Sequence, residues 1–509
     1  MKLGLRLIKL IAATGLLAIV ATISTQAFAG GTLHIAREQD NTTFDPILTI
    51  QNADIWVMDN MNAGLVRVTH DGTGLEPDLA EKWTISEDAK TYTFTLRPNL
   101  KFSDGSPLTA ADVKFSLERL RDQKDSVMAA MYKIIPDIET PDDRTVVVKL
   151  DEPSAPFLST LAMFAASVVP EKAVKAEGAD FGLKPVGAGA FRLKEWRRGD
   201  RVILERNPNY WEASRVKLDG VEWLYVPNDN TRMLKLQAGE VDAAIFVPFS
   251  QIDSLQKDPN IQVHLDPSSR EDHLLLNHGH KPLDDVSVRR AVCMAIDRAA
   301  IVKTVLFGHG RVANSFIPGG ALYYNPDNPT CKYDPAGAKN LLADAGATGA
   351  TFKFLIAAGN SIDEQTSVLI KDMLSKVGLN VNIMKEEQGQ EWDSTVAGDY
   401  DLSLNYWTND IIDPDEKATF SVYGRDENKS YYTNYYNPKV ADLVEQGRRE
   451  MDPAKRQAIY YEIQKLASQD VNWVDLYYSP FRNASRKNVK GFYQNPTGRF
   501  MLEDTEIMQ

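Results

Sequence analysis

The sequence predicts an α/β fold built around parallel strands, and three observations over residues 351–414 carry that prediction. Strand and helix patterns alternate from Thr351 to Tyr406, Gly378 separates a helix from the strand after it, and at Trp407 the alternation gives way to an acidic loop punctuated by Pro414. In order, Thr351 to Leu355 reads as a strand and Asp363 to Val377 as an amphipathic helix closed by Gly378. Leu379 to Met384 reads as a second strand, a short helix follows from about Gln390, and Asp401 to Tyr406 alternates polar with apolar as a third strand. A β-α-β-α-β run implies parallel strands with right-handed crossovers. Ligands of such sheets bind beyond the carboxyl ends of the strands. Trp407 and Asp410 occupy that position, and an aromatic wall beside a carboxylate suits a small cation or a free amine.

With 509 residues the chain is long enough for two or more lobes with a large core. Its formal charge is −13, although the first 29 residues contribute Lys2, Arg6 and Lys9 and no acid. That balance argues against nucleic acid or an anionic lipid surface as partner. Residues 1–29 read as a secretory signal peptide: a basic start, an apolar stretch over 10–21, then Ala27-Phe28-Ala29 with cleavage expected after Ala29. No later run approaches the ~18 apolar residues of a membrane span, so the mature protein is expected to be exported and soluble. Cys293 and Cys331 are either a disulfide formed in an oxidising compartment or two independent thiols.

Earlier in the chain, Thr32 to Ala36 reads as a first strand, and residues 45–52 lead into a helix near Ala53 to Leu65. Polar groups at that strand-to-helix turn, Thr49 and Gln51, are placed to reach a cleft. Two alternating strands follow within residues 76–102. The Asp104-Gly105 turn comes next, and then Thr109 as a helix N-cap with Asp112 three residues later, as in a capping box. Pro185-Val186-Gly187-Ala188-Gly189-Ala190-Phe191 lacks the third glycine of a nucleotide loop and reads as a structural turn; Arg198-Gly199-Asp200 reads as a hairpin turn. Helices are expected over 439–449 and 453–468 and a strand over 472–478. The tail over 487–507, too small for its own core, should pack back on an earlier part.

The segment 76–113 resembles the signature region of the family 5 extracellular solute-binding proteins of ABC importers, the class that includes dipeptide-, oligopeptide- and nickel-binding proteins. Further resemblances run in register through Asn207-Pro208-Asn209-Tyr210-Trp211, Leu236 to Asp242, Val288 to Arg298 and Tyr333 to Gly346. The resemblance implies a two-lobed periplasmic binding protein fold of the large class, with interleaved lobes joined by a hinge. The first lobe would take 30–270, with an inserted subdomain at about 65–185. The second would take 271–479, and 480–509 would return to the first lobe. It also implies a periplasmic monomer that captures a small peptide for ABC permease subunits in the inner membrane, with no cofactor.

By resemblance, Trp407-Thr408-Asn409-Asp410 matches the spacing with which peptide binders hold a ligand's α-amino group, so Asp410 takes that role. Glu391-Trp392 matches a pair whose tryptophan lines the same pocket, and Asn405, Tyr406 and Asn409 flank the motif. The chain departs from the dipeptide binders at Ile356 to Ser361, which has no basic residue for a ligand carboxylate. The position three before Trp407, basic in some oligopeptide binders, is Leu404, which leaves Arg37 as a substitute. No GxSxG, HExxH, CxxC or P-loop pattern is present, so no catalytic residue is assigned. His273, His278 and His280 are close enough in sequence to share a transition metal, but the loop reading of 278–280 is preferred and no metal site is assigned. Two other functions fit less well: a binder of a nickel chelate, opine or sugar on the same fold, and a peptide hydrolase.

Overall fold

A computed structural model of the chain describes residues 30–124, 126–424, 430 and 433–508. The leader expected over 1–29 lies outside the described residues.

Two mixed sheets dominate. The first has seven strands in the order Ile261–Asp266, Phe481–Arg486, Ala243–Ala244, Thr32–Arg37, Gly220–Tyr225, Arg201–Arg206, Phe191–Arg197. Thr32–Arg37 runs parallel to both of its neighbours. The second has six strands in the order Arg311–Val312, Trp473–Tyr478, Glu271–Leu276, Leu402–Trp407, Thr351–Ala357, Asn380–Glu386. Within it Thr351–Ala357 is parallel to both Asn380–Glu386 and Leu402–Trp407, as the β-α-β-α-β pattern requires. A four-stranded antiparallel sheet over 80–149, backed by the helix Ala110–Asp122, forms a separate layer between strands of the first sheet.

Caps written in the sequence set the helix ends. Asn360 Oδ1 accepts from the N–H groups of Ile362 and Asp363 at 3.1 and 3.3 Å and opens the helix Ser361–Lys376. Thr109 and Asp112 form the expected capping box. The helix expected over 53–65 is shorter, Asn52–Met61. Gly189 N–H takes the Met61 carbonyl at 2.8 Å, and a Cβ at Gly187 or Gly189 would fall 2.2 or 2.5 Å from Met61 backbone atoms. The glycine-rich turn is therefore a backbone contact that ends this helix, which periodicity alone does not reveal.

The chain crosses between the large sheets twice, through residues 267–270 and through Ser479-Pro480. The crossings are neighbours: Asp266 pairs with Phe481 on one side and Glu271 with Tyr478 on the other. Each crossing contains a proline, Pro267 or Pro480, which cannot donate to a ladder and interrupts the pairing there. The result is a two-stranded connection between two rigid sheets. At its centre Asp272 accepts from Arg270 Nη2 at 2.6 Å and from Ser479 Oγ at 3.0 Å.

After the Leu402–Trp407 strand, a loop leads into the helix Asp415–Ser421, and buried ion pairs fix both to the second lobe. Asp413 takes both guanidinium nitrogens of Arg456, Asp415 takes Arg448 at 2.9 Å, and Lys417, fully buried, lies 3.2 Å from Glu271. Burial pushes Glu271 up to about 8 and Lys417 down, and their mutual attraction partly offsets both shifts. The acids of this loop and of the helix after it are anchors.

Cys293 and Cys331 form a disulfide with Cα atoms 6.2 Å apart. Among the described residues no helix is long and apolar enough to cross a membrane. The three histidines do not converge. His273 stacks on Trp473 inside the second lobe, His278 Nε2 meets the Asn472 carbonyl, and His280 Nδ1 meets Asp401.

Three stability outcomes are expected. Replacing both cysteines by serine removes a cross-link over a sequence separation of 38 residues and should cost about 4 kcal/mol in urea denaturation. Arg456→Met strands the buried Asp413 carboxylate and should cost about 3–5 kcal/mol. Arg449→Met breaks a half-exposed pair with Glu152 and should cost less than about 1 kcal/mol. Equal effects of the two arginine substitutions would contradict the anchoring role of the loop acids.

Candidate functional site

Between the two large sheets lies a cavity of about 600 Å³, within the ~300–1,000 Å³ range of small-molecule sites. Its walls are the carboxyl ends of parallel strands from both lobes. From the first lobe come Glu38, Gln39 and Asp40, just past Thr32–Arg37, together with Gln51 and the start of the following helix. From the second come Asn360 and Asp363, past Thr351–Ala357, and Leu404 to Thr408 with Asp410, at the end of Leu402–Trp407. Met128, from the inserted layer, closes one side.

Six of the eight residues singled out in sequence line this cavity: Asp410, Trp407, Trp392, Tyr406, Asn405 and Gln51. Trp407 stacks on Phe420 with ring centroids 5.0 Å apart, and Lys417 lies 5.8 Å from its ring centre on the protein side. Tyr406 rests on the Arg270 guanidinium at 3.5 Å, which couples this wall to the connection between the sheets. Asn405 turns its Oδ1 back to the Tyr406 N–H at 2.7 Å.

Thr49 and Asn409 do not line the cavity. Thr49 Oγ1 donates to Asp54 Oδ2 at 2.7 Å and accepts from the Gln51 N–H at 3.0 Å, so it shapes the turn that presents Gln51. Asn409 is buried, and its N–H donates to Ser269 Oγ at 3.0 Å, holding the loop against the crossing segment. Arg37 is also unavailable to a ligand. It is fully buried, donates to the Ala53 carbonyl at 2.8 Å and to Asn41, and lies 5.6 Å from the ring centre of Trp223. A guanidinium buried in the first lobe, with both terminal nitrogens bonded there, cannot meet a ligand carboxylate.

Asp410 has an unusual partner. Glu416, fully buried in the helix behind it, accepts from the Asp410 N–H at 2.9 Å and the Ile411 N–H at 3.2 Å. The two carboxyls also face each other, and like charges in so dry a place cannot both ionise. Burial, then repulsion from Asp410, raises Glu416 far above the usual carboxylate range. Asp410 itself is pushed up to about 7 by burial, with the proton shared from Glu416 and the charge of Arg499 pulling the other way. Glu416 therefore keeps the proton of the pair and donates it to Asp410. The Asp410 carboxylate is the anionic member, and no ion pair among the described residues neutralises it. This arrangement accepts a cationic hydrogen-bond donor from the cavity side.

Other carboxyls in the wall escaped the sequence reading. Glu38 and Asp40 follow the first strand as Asp410 follows the third of the β-α-β-α-β run, so the strand-end rule applied to both lobes points to them. Asp363 reads as an ordinary first-turn helix acid, and Glu391 as a helix surface acid. Only the packing of the two lobes turns them towards one space.

Comparison with known proteins agrees with this architecture. The sequence profile described as Bacterial extracellular solute-binding proteins, family 5 Middle, matches residues 74–429. The Probable D,D-dipeptide-binding periplasmic protein DdpA of Escherichia coli (strain K12) is 31% identical over 480 residues, covering 91% of this chain and 92% of the relative. The periplasmic binding protein DppA from Helicobacter pylori, solved in complex with peptide STSA, aligns with a TM-score of 0.86 at 27% identity, over 94% of this chain and 98% of that one. AgaA from A.tumefacien R10, solved with agropinic acid, aligns with a TM-score of 0.84 at 29% identity, over 94% and 99%. The fold is that of the two-lobed periplasmic binding proteins, and the chain belongs to the family 5 bacterial extracellular solute-binding proteins.

Proposed function

We propose that this protein is the substrate-binding component of an ABC importer that captures short peptides between its lobes and delivers them to permease subunits in the inner membrane. The observation that carries the reading is the Asp410 carboxylate, unneutralised by any ion pair among the described residues, at the end of a parallel strand and beside Trp407 and Trp392. An α-ammonium group supplies the missing charge and up to three N–H donors. One charge-assisted hydrogen bond contributes about 1.5–3 kcal/mol, whereas micromolar affinity needs about 8 kcal/mol. The remainder comes from burying the ligand against the tryptophans and from main-chain contacts at the strand ends.

The dipeptide-binding relative DdpA and the peptide complex of DppA support a peptide as the ligand class. The AgaA complex supports an acidic, non-peptide ligand on the same fold. No Lys or Arg among the described residues lines the present cavity, and that disfavours an acid. Closure is a rotation about the two-stranded connection at 267–270 and 479–480. Export behind the 1–29 leader, cleavage after Ala29, action as a monomer in the periplasm and the absence of peptide hydrolysis belong to the same reading.

Asp410→Ala should weaken peptide binding about tenfold to a hundredfold, read as loss of peptide-induced thermal stabilisation, with the ligand-free protein still folded. N-acetylation of the peptide should weaken binding to the natural protein by a similar factor. Undiminished binding in either case removes the amine anchor, and turnover in a peptide panel would favour a hydrolase instead.

A further inference from the structure

The charge on the cavity wall is one-sided. Seven carboxyl side chains line it, and among the described residues no Lys or Arg does. Several of the seven have partners. Asp272 is held by Arg270 and Ser479, Asp40 accepts from the Gly199 N–H at 2.6 Å, and Glu391 accepts from Thr395 Oγ1 at 3.0 Å. Among the described residues only Asp272 of the seven has an ion pair, and Glu38 on the first lobe and Asp363 and Asp410 on the second are among the six without one.

Glu38 gives an observation that does not depend on counting acids. Its Oε2 is buried and has no hydrogen-bond partner among the described residues. A buried acceptor without a donor is costly, and sites that tolerate one are frequently completed by something outside the chain. Asp363 lies in the first turn of the helix Ser361–Lys376. Its N–H is taken by Asn360, and no group among the described residues hydrogen-bonds its carboxylate. Burial pushes Asp363 up to about 8 and raises Glu38, against the opposing charge of Arg270 at Asp363 and of Arg232, Arg482 and Arg37 at Glu38; none of these arginines lines the cavity.

Resting on the peptide-binding reading above, we propose that the cavity selects ligands with at least two separated cationic nitrogens and no free carboxylate inside it. One cation meets Asp410, and the second lies between Glu38 and Asp363. A peptide with a basic side chain and a masked C-terminus has this chemistry, and so does a linear polyamine. A free C-terminal carboxylate would enter a space with seven acids and, among the described residues, no basic side chain, losing its hydration without gaining a partner. The second cation also joins the lobes, because Glu38 and Asp363 lie on opposite sides of the cleft.

The test is calorimetric titration of ligand-stripped protein with Lys-Lys-amide, Ala-Ala-amide, free Ala-Ala and spermidine. Lys-Lys-amide should bind at least tenfold tighter than Ala-Ala-amide, free Ala-Ala should bind weakest of the peptides, and added salt should reduce the preference. Glu38→Gln and Asp363→Asn should each collapse the Lys-Lys-amide to Ala-Ala-amide affinity ratio by tenfold or more. Folding serves as an internal control. A carboxyl raised in the folded state lowers stability progressively as pH rises from its ordinary value to its folded one, so Asp363→Asn should raise the Tm of the ligand-free protein at pH 8–9.

Equal or tighter binding of free Ala-Ala overturns the charge selection and leaves the peptide reading standing. Spermidine binding that depends on Glu38 and Asp363, with no peptide bound, upholds the charge selection and overturns the peptide reading. Binding of none of the four probes overturns both.

Discussion

Two carboxyl groups in one dry place must share a proton, and much of the second lobe's architecture serves to keep that proton on Glu416 rather than Asp410. Glu416 is held where its oxygen accepts two loop N–H groups, which fixes the turn after the Leu402–Trp407 strand. Its helix neighbours Asp415 and Lys417 are tied to Arg448 and Glu271, so the turn cannot relax to let Asp410 find another partner. The consequence is a carboxylate at the cavity wall on a rigid mount, stabilised by the Glu416 proton and the charge of Arg499 but held in no ion pair among the described residues. Ordering costs are met in folding rather than in binding, which is what preorganisation means in energetic terms.

The connection between the lobes obeys a related constraint. Two neighbouring strands pass from one sheet to the other, each broken by a proline, and Arg270 sits where they cross. Its guanidinium serves Asp272 beside Ser479 and also supports the Tyr406 ring in the cavity wall. Rotation about the crossings therefore moves a residue of the cavity wall, which under the proposed function would tie closure to occupancy through packed groups rather than through a distant relay.

Much of this was legible in the sequence, for identifiable reasons. The parallel run over 351–407 follows from period-2 and period-3.6 patterns separated by Gly378, and the caps at Thr109 and Asn360 use local chemistry that survives tertiary folding. Asp410, Trp407 and Trp392 were legible because strand ends and motif spacing place them together. What was hidden depends on contacts distant in sequence. The early end of the Asn52–Met61 helix comes from a turn more than a hundred residues away. Arg37 looked free because alternation does not say that its guanidinium points into the first lobe. Thr49 and Asn409 sit in loops, where side-chain direction is set by partners such as Asp54 and Ser269 rather than by periodicity. The roles of Asp413, Asp415 and Glu416 were hidden because their arginine partners and the facing carboxyl of Asp410 are not adjacent in sequence.

The central claim is that a ligand's ammonium group completes a carboxylate held near the edge of ionisation, and proton counting tests it directly. Burial raises Asp410, so near neutral pH an arriving cation should drive protons off this group. The measurement is titration calorimetry of a peptide at pH 7 in buffers of different ionisation enthalpy, repeated at pH 9 and with Asp410→Asn. The account predicts net proton release at pH 7 that falls in the variant, and a shift towards uptake at pH 9, where the peptide amine with its pKa of about 8 must gain a proton to bind as ammonium. Proton uptake on binding at pH 7, or release at pH 7 unchanged by Asp410→Asn, would contradict it.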